Sequence, residues 1–319
     1  LAAHGSRAQD GVSMIDGLRI GNMYQSSNLT NMSLSPLLAD QVDIQLSGQM
    51  AETGTNGVIM NLVPRSGGNV FSGTALINGS HPNLQSSNIT DRLRGPGLQG
   101  ASTSLKRLYD INGALGGPIR ADRLWFYATT RYYTNEFYLA GLFYPVDPTA
   151  IVRVEDQSRQ AYGGTYTYDN NGRLTWAISE KQKISGFYAY QYKVDPHWVI
   201  NAAVSPEAAR VTTWHTQLST TKWTYTATNR LLFEAGIAAG ESPDTIKVDL
   251  RRIGGIALQE QGGTIAPPAT YRAPTGFDFD DRLPSQSFNL AASYVTGSHN
   301  AKIGLGLQRG HFWRADNND

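Results

Sequence analysis

The chain has 319 residues and no cysteine, and its 27 basic and 26 acidic side chains leave a formal net charge of +1. That composition excludes disulfides, thiolate metal centres and cysteine nucleophiles, and it lacks the basic excess of a nucleic-acid binder. No apolar run reaches the roughly 18 residues of a transmembrane helix, but a transmembrane barrel stays open, because its strands alternate lipid-facing and lumen-facing residues.

Residues 1–68 differ from the rest. They carry short β-like pieces, Val42–Leu46 and Gly57–Val63, and a segment, 33–40, that suits one short helical turn with Ser35-Pro36 at its start. From Asn69 onward the sequence predicts nine strands: 69–79, 107–117, 122–134, 161–178, 181–193, 211–225, 229–240, 286–296 and 299–311. Each has the length a tilted strand needs to cross a membrane. Period-2 alternation supports several of them. In 122–134, Leu124, Phe126, Ala128 and Tyr132 oppose Trp125, Tyr127, Thr129 and Arg131. In 181–193, Ile184, Tyr188, Tyr190 and Tyr192 oppose Lys183, Ser185, Gln191 and Lys193, with Phe187 as an exception. In 229–240, Leu231, Phe233, Ala235 and Ile237 oppose Arg230, Glu234 and Gly236. The strand 211–225 is ambiguous, since Trp214, Leu218 and Lys222 fall on one face.

The connections alternate long (80–106, 135–160, 194–210, 241–285) and short (118–121, 179–180, 226–228, 297–298), as in outer-membrane barrels with long outer loops and short periplasmic turns. Aromatic residues near strand ends (Trp125-Phe126-Tyr127, Tyr132-Tyr133, Trp214, Trp223 and Tyr225) read as interface girdles, or simply as good strand formers. Because single-chain bacterial barrels have an even strand count, nine strands predict more chain beyond Asp319; a start without a basic-then-apolar leader means either that a signal was removed or that the sequence begins mid-protein, and the abrupt start at Leu1 suggests truncation there too.

The stretch 42–73, VDIQLSGQMAETGTNGVIMNLVPRSGGNVFSG, resembles the end of the plug and the start of the barrel in TonB-dependent outer-membrane receptors. Ala51-Glu52-Thr53-Gly54 stands where the family has Ala-Glu-Tyr-Gly, and Gly57–Val63 matches the strand that follows. Met14-Ile15-Asp16-Gly17 resembles the Asp-Gly strand of the plug. Gly113-Ala114-Leu115-Gly116-Gly117-Pro118-Ile119, then Asp122-Arg123-Leu124-Trp125-Phe126, resembles the first wall hairpin of the Oar-like branch. The resemblance implies an all-β protein, a partial antiparallel transmembrane β-barrel of about nine strands with a small α+β plug remnant. Residues 1–68 would be the C-terminal part of the plug and 69–319 the N-terminal part of the barrel.

The functional expectation follows: a receptor in the bacterial outer membrane that takes up a scarce solute (a saccharide, a peptide or a chelated metal), gated by the plug. The expected partners are a TonB-type energy-transducing complex, reached through a segment upstream of Leu1, the membrane lipid and the solute, with no nucleic acid. Tyr24, Gln25 and Asn28, in the polar stretch Gly21–Asn28, are the candidate substrate contacts; an ordinary plug loop is the alternative. Glu52 and Arg65 are candidates for polar contacts to wall charges such as Arg131, Lys183, Arg230 or Glu234, exchangeable for water. No catalytic residue, metal or cofactor is expected. Gly95–Gly100 fits G-x-G-x-x-G but lies outside any strand-to-helix turn. His81, His197 and His299 read as solvated loop residues, and Asp278, Asp280 and Asp281 as a solvated charge run, with divalent-ion capture as the alternative. A passive porin-like or adhesin barrel, a surface-assembly barrel and an outer-membrane hydrolase remain as alternatives.

Overall fold

The computed structural model describes residues 10–21, 32–46, 57–86, 103–247, 256–259, 270–274 and 278–317. Two sheets dominate. The small one has four strands, β1 (Val12–Ile15), β2 (Leu18–Arg19), β3 (Ala39–Gln45) and β4 (Ile59–Pro64), in the order β2-β1-β4-β3. Asp16 and Gly17 form the two-residue turn between β1 and β2, with φ of 53° and 78°. Asp-Gly suits a hairpin turn that needs left-handed backbone at both central positions. Ser35 to Leu38 make a single turn, closed by a 3.0 Å bond from the Leu38 N–H to the Ser35 carbonyl, and run straight into β3. The expected helical turn goes no further than that.

The large sheet is an antiparallel meander. Its main path is β5 (Ser72–Ser80), β6 (Ser104–Arg120), β7 (Leu124–Pro145), β8 (Glu155–Ser179), β9 (Gln182–Trp198), β10 (Arg210–Thr228) and β11 (Leu231–Glu241), then β16 (Ser285–Thr296) and β17 (His299–Gly310). The remaining strands are β12 (Asp244–Lys247), β13 (Leu258–Gln259), β14 (Thr270–Tyr271), β15 (Asp278–Arg282) and β18 (Trp313–Asn317). Among the described residues the nine expected strands are the nine of the main path, and their connections alternate between long and two- or three-residue. The main difference lies at the long-loop end. β7 and β8 continue as a hairpin as far as Pro145 and Glu155, paired with two register shifts above Tyr138 and Tyr162. Three other strands break at one level and resume: β11 at Ser242-Pro243 into β12, β15 at Leu283-Pro284 into β16, and β17 at His311-Phe312 into β18. Proline has no N–H to give a ladder, which places two of these breaks.

The two faces of the meander are inverted relative to a soluble sheet. Thr129, Asp169, Asn171, Gln191 and Thr220 are buried on the inner face, while Leu174, Trp176, Ile237, Leu290, Ile303 and Leu305 are exposed on the outer one. Polar-in and apolar-out is the pattern of a membrane barrel wall. An outer row Tyr132, Tyr168, Tyr192 and His215 runs across four strands in register. A second row, Trp176, Ile184 and Trp223, lies eight residues further along β8 and β10. That spacing is about 20 Å along the membrane normal, at about 3.3 Å per residue and a tilt of about 40°. Trp125, Tyr127 and Trp214, read above as girdle residues, share the inner face instead. The Trp125 indole N–H donates to Asn69 at 2.7 Å, the Tyr127 hydroxyl to the Leu37 carbonyl at 2.9 Å, and Lys193 sits 4.7 Å over the Trp214 ring.

Candidate functional site

The small sheet lies against the inner face of the wall, and one after another the strands touch it. Asn112 of β6, Tyr127 of β7, Asp169 of β8 and Gln191 of β9 meet Ser33 to Leu37. Leu218 of β10 joins an apolar cluster with Ile15 and Leu38. Gly236 of β11 faces Leu18 so closely that a Cβ there would stand 2.5 Å from a Leu18 methyl. Ser287 of β16 donates to the Arg19 carbonyl at 2.7 Å, and Gln308 of β17 to the Gly21 carbonyl at 3.4 Å. Flat, eight strands would span about 34 Å at about 4.8 Å per strand. One four-stranded sheet reaches them all because the wall curves around it.

The apolar part of the seat is the cluster Ile15, Leu38, Phe187, Ala189 and Leu218, with Ile20, Met32, Leu34 and Leu62 packed on it. This accounts for Phe187, the exception in the alternation of β9. Its inner-face position is apolar because it meets the small sheet and not water.

The polar part has two centres. At the first, Arg173 closes on Asp16 with contacts of 2.6 and 3.3 Å, both side chains almost fully buried. Lys222, 2.9 Å from Glu234, also donates to the Asp16 carbonyl at 3.4 Å. At the second, Asp110 holds Arg131 through two bonds of 2.7 and 2.9 Å. Arg131 then donates to the Ser33 and Leu34 carbonyls at 3.1 and 3.2 Å. Asp169 accepts from the Ser35 N–H at 2.9 Å and from Asn171 at 2.7 Å. Gln191 takes both backbone groups of Ser33, donating to its carbonyl and accepting from its N–H, each at 3.1 Å.

Below the seat a cavity of about 810 Å³ separates the small sheet from the wall, lined among others by Asp16, Asp40, Arg65, Arg173, Lys183 and Lys222. Four cations against two carboxylates make it basic, so it suits water and anions more than an apolar solute.

Of the residues singled out in the sequence, Arg131 bridges the two sheets. Arg65 lines the cavity but bonds within its own sheet, donating to the Ala39 carbonyl at 3.0 Å. Lys183 lines the same cavity, Glu234 pairs with Lys222, and Arg230 is exposed in a short turn. Tyr24, Gln25, Asn28, Glu52 and the Gly95–Gly100 motif lie outside the described residues. Asp16, Arg173, Asp169, Gln191 and Ser35 were missed. The signal for two of them, Asp169 and Arg173, was the alternation of Asp169, Asn171, Arg173 and Thr175 against Tyr168, Leu174 and Trp176, which marks a polar inner face.

Two readings of the outer end need correction. His197 is in β9, not a solvated loop. It shares a 3.0 Å hydrogen bond with the Tyr144 hydroxyl and packs edge-on to Tyr162 at 4.5 Å. Burial, then the nearby Lys106 ammonium, pushes its pKa down, and burial pushes the Tyr144 phenol up to about 12. Asp280 and Asp281 are not a solvated run: they sit in β15, where Asp281 is buried in a two-point pair with Arg314 at 2.6 Å and Asp280 accepts from Thr245 at 3.1 Å. Among the described residues no group of three or more His, Asp or Glu side chains is placed to hold a metal ion.

No family model matches the chain. In sequence it is 27% identical over 199 residues to the TonB-dependent transporter Oar of Myxococcus xanthus, covering 58% of this chain and 18% of that protein. In structure it is similar to the outer membrane transporter YddB of Escherichia coli, with a TM-score of 0.63 at 12% identity, covering 98% of this chain and 42% of that one. The siderophore receptor PirA of Acinetobacter baumannii gives 0.60 at 12% identity, covering 96% and 41%. The ferric yersiniabactin uptake receptor FyuA of Yersinia pestis gives 0.58 at 14% identity, covering 96% and 40%. The chain thus spans less than half the length of each of these proteins.

Proposed function

We propose that this chain, which belongs to the TonB-dependent outer-membrane receptors and lies in the bacterial outer membrane, is the gated section of a transporter. On this reading residues 1–68 are the C-terminal part of the plug and 69–319 the first part of the barrel. A solute binds from outside, and pulling on a segment upstream of Leu1 by a TonB-type complex loosens the plug from the wall.

The observation that supports this reading most is the make-up of the seat. Its polar contacts are hydrogen bonds and one ion pair beside a cavity lined by polar and charged side chains, and its apolar cluster is small. Polar contacts of this kind exchange with water at a net cost of about 0.5–1.5 kcal/mol each. A sheet held this way stays in place unaided yet can be pulled free, whereas a purely apolar interface of the same extent would resist removal. The solute itself is left open among saccharides, peptides and chelated metals.

The test is a comparison of three strains in defined medium: the parent, one without the full-length receptor and one without TonB. Mass spectrometry of the spent medium should find a solute whose depletion needs both proteins. If removing the receptor changes no solute that removing TonB also changes, and the purified receptor conducts freely in planar bilayers, the passive-barrel reading replaces this one.

A further inference from the structure

The wall grips Ser33 to Leu37 mainly by its backbone. Five main-chain groups are taken: the Ser33 N–H and carbonyl by Gln191, the Ser33 and Leu34 carbonyls by Arg131, the Ser35 N–H by Asp169, and the Leu37 carbonyl by the Tyr127 hydroxyl. Only Ser33 and Ser35 also offer their hydroxyls, to Arg131 at 3.4 Å and to Asn112 at 2.9 Å. Arg131, Asp169 and Gln191 stand side by side on β7, β8 and β9 in direct register, so they form one continuous track. Asp169 and Gln191 are buried under the segment they hold.

We infer that this track is a binding site for a peptide backbone, occupied in the resting state by the chain's own segment 33–37, which turns at Ser35 to Leu38. When that segment withdraws, Arg131 keeps Asp110 and Asp169 keeps Asn171 and Gln191, and the donors and acceptors that held Ser33, Leu34 and Ser35 turn to the lumen, open to another backbone. The side-chain amide of Gln191 matches the N–H and carbonyl of a single residue, and Asp169 takes the next-but-one N–H. Every polypeptide carries these backbone donors and acceptors whatever its side chains, while a glycan does not. The inference rests on the proposed withdrawal of the plug and narrows the solute to a peptide or an unfolded stretch of protein.

The experiment uses the full-length receptor in detergent and a fluorescein-labelled heptapeptide, Met-Ser-Leu-Ser-Pro-Leu-Leu, which copies residues 32–38. Leu38 is buried in the apolar cluster, so Leu38→Ala should loosen the resident segment and raise probe binding by about fivefold or more. A probe N-methylated at its two serines should bind about tenfold more weakly, since two backbone bonds are lost. Gln191→Leu in the Leu38→Ala background should weaken the unmodified probe similarly, and a scrambled probe should bind about as well as the original. On the wild-type receptor, at higher probe concentration, the N-methyl contrast should persist, which keeps the test independent of how well Leu38→Ala folds. Equal binding of the N-methylated probe, displacement of the probe by maltoheptaose, or no binding to either protein overturns the inference. Probe binding lost while a solute still needs TonB overturns the peptide track alone. Probe binding kept while no solute needs TonB overturns the transport reading alone.

Discussion

The Arg173 guanidinium and the Asp16 carboxylate meet at 2.6 and 3.3 Å across 157 residues of chain, and they join the small sheet to the wall beside the cavity. Asp16 serves two ends, because it also occupies the left-handed turn before Gly17. Asn tolerates that backbone nearly as well as Asp. Asp16→Asn therefore removes charge and leaves the turn. Removing one partner of a buried pair typically costs about 3–5 kcal/mol. Limited proteolysis of the full-length receptor should cut within residues 10–64 at least several times faster in Asp16→Asn than in wild type. Equal rates would show that the pair does not hold the seat.

Gly236 is needed for close approach. A side chain there meets Leu18 at once, and overpacking of this kind costs about 1–3 kcal/mol. Gly236→Val should lift the Asp16 hairpin from β11 and speed the same proteolysis, and adding Leu18→Ala should restore most of the protection. A variant that needs no compensation would place the hairpin elsewhere.

Phe187 and Tyr188 are neighbours on opposite faces. Phe187 lies in the seat and Tyr188 on the exposed outer face. Phe187→Ala should cost about 3–5 kcal/mol of the sheet-on-wall packing, read as earlier release of the small sheet in urea. Tyr188→Ala should leave that release where it is.

Facing also fixes the effect of a new charge. Leu174 is exposed on the outer face, and Ser185 lines the inner cavity. An arginine on the lipid face costs about 2–4 kcal/mol at the midplane and less towards the interfaces, and Leu174 lies between the midplane and the Trp176 row. Leu174→Arg should lower the yield of heat-resistant folded receptor in bilayers, while Ser185→Arg should not. The reverse order would invert the wall.

The hairpin above the outer aromatic row carries a pH window. The fold keeps His197 neutral by lowering its pKa below the ordinary 6.5, so that contribution is complete above pH 6.5 and is lost as pH falls below it. It keeps Tyr144 protonated, with a pKa raised from 10 to about 12, so that contribution is lost as pH rises through this range. Hydrogen-exchange protection in the upper parts of β7, β8 and β9, taken relative to the intrinsic rate at each pH, should be greatest between these limits, and His197→Phe should remove the acid limb only.

The wall was legible in the sequence because most of its strands keep a two-residue period and the connections alternate between long and short. The ambiguous strand, β10, shows where that logic stops. Trp214, Leu218 and Lys222 share the inner face for three reasons: one lies under Lys193, one packs on Ile15 and Leu38, and one pairs with Glu234. A filled lumen mixes apolar and charged residues on one face, and periodicity cannot separate them. The seat was legible only by half. Alternation marks Asp169, Arg173 and Gln191 as inward, but no local pattern says which groups they meet more than a hundred residues away. Ser33 to Leu37 present that backbone with no side-chain signature beyond two serines.

The central claim is that the small sheet leaves its seat when energy is supplied. Ser35 is the residue to watch, since it is buried between Asp169 and Asn112. In living cells that carry the full-length receptor with Ser35→Cys, labelling by a membrane-impermeant maleimide should occur in energised cells and fall to background when the proton gradient is collapsed or TonB is absent. Labelling that is the same in all three conditions would contradict a plug released by energy.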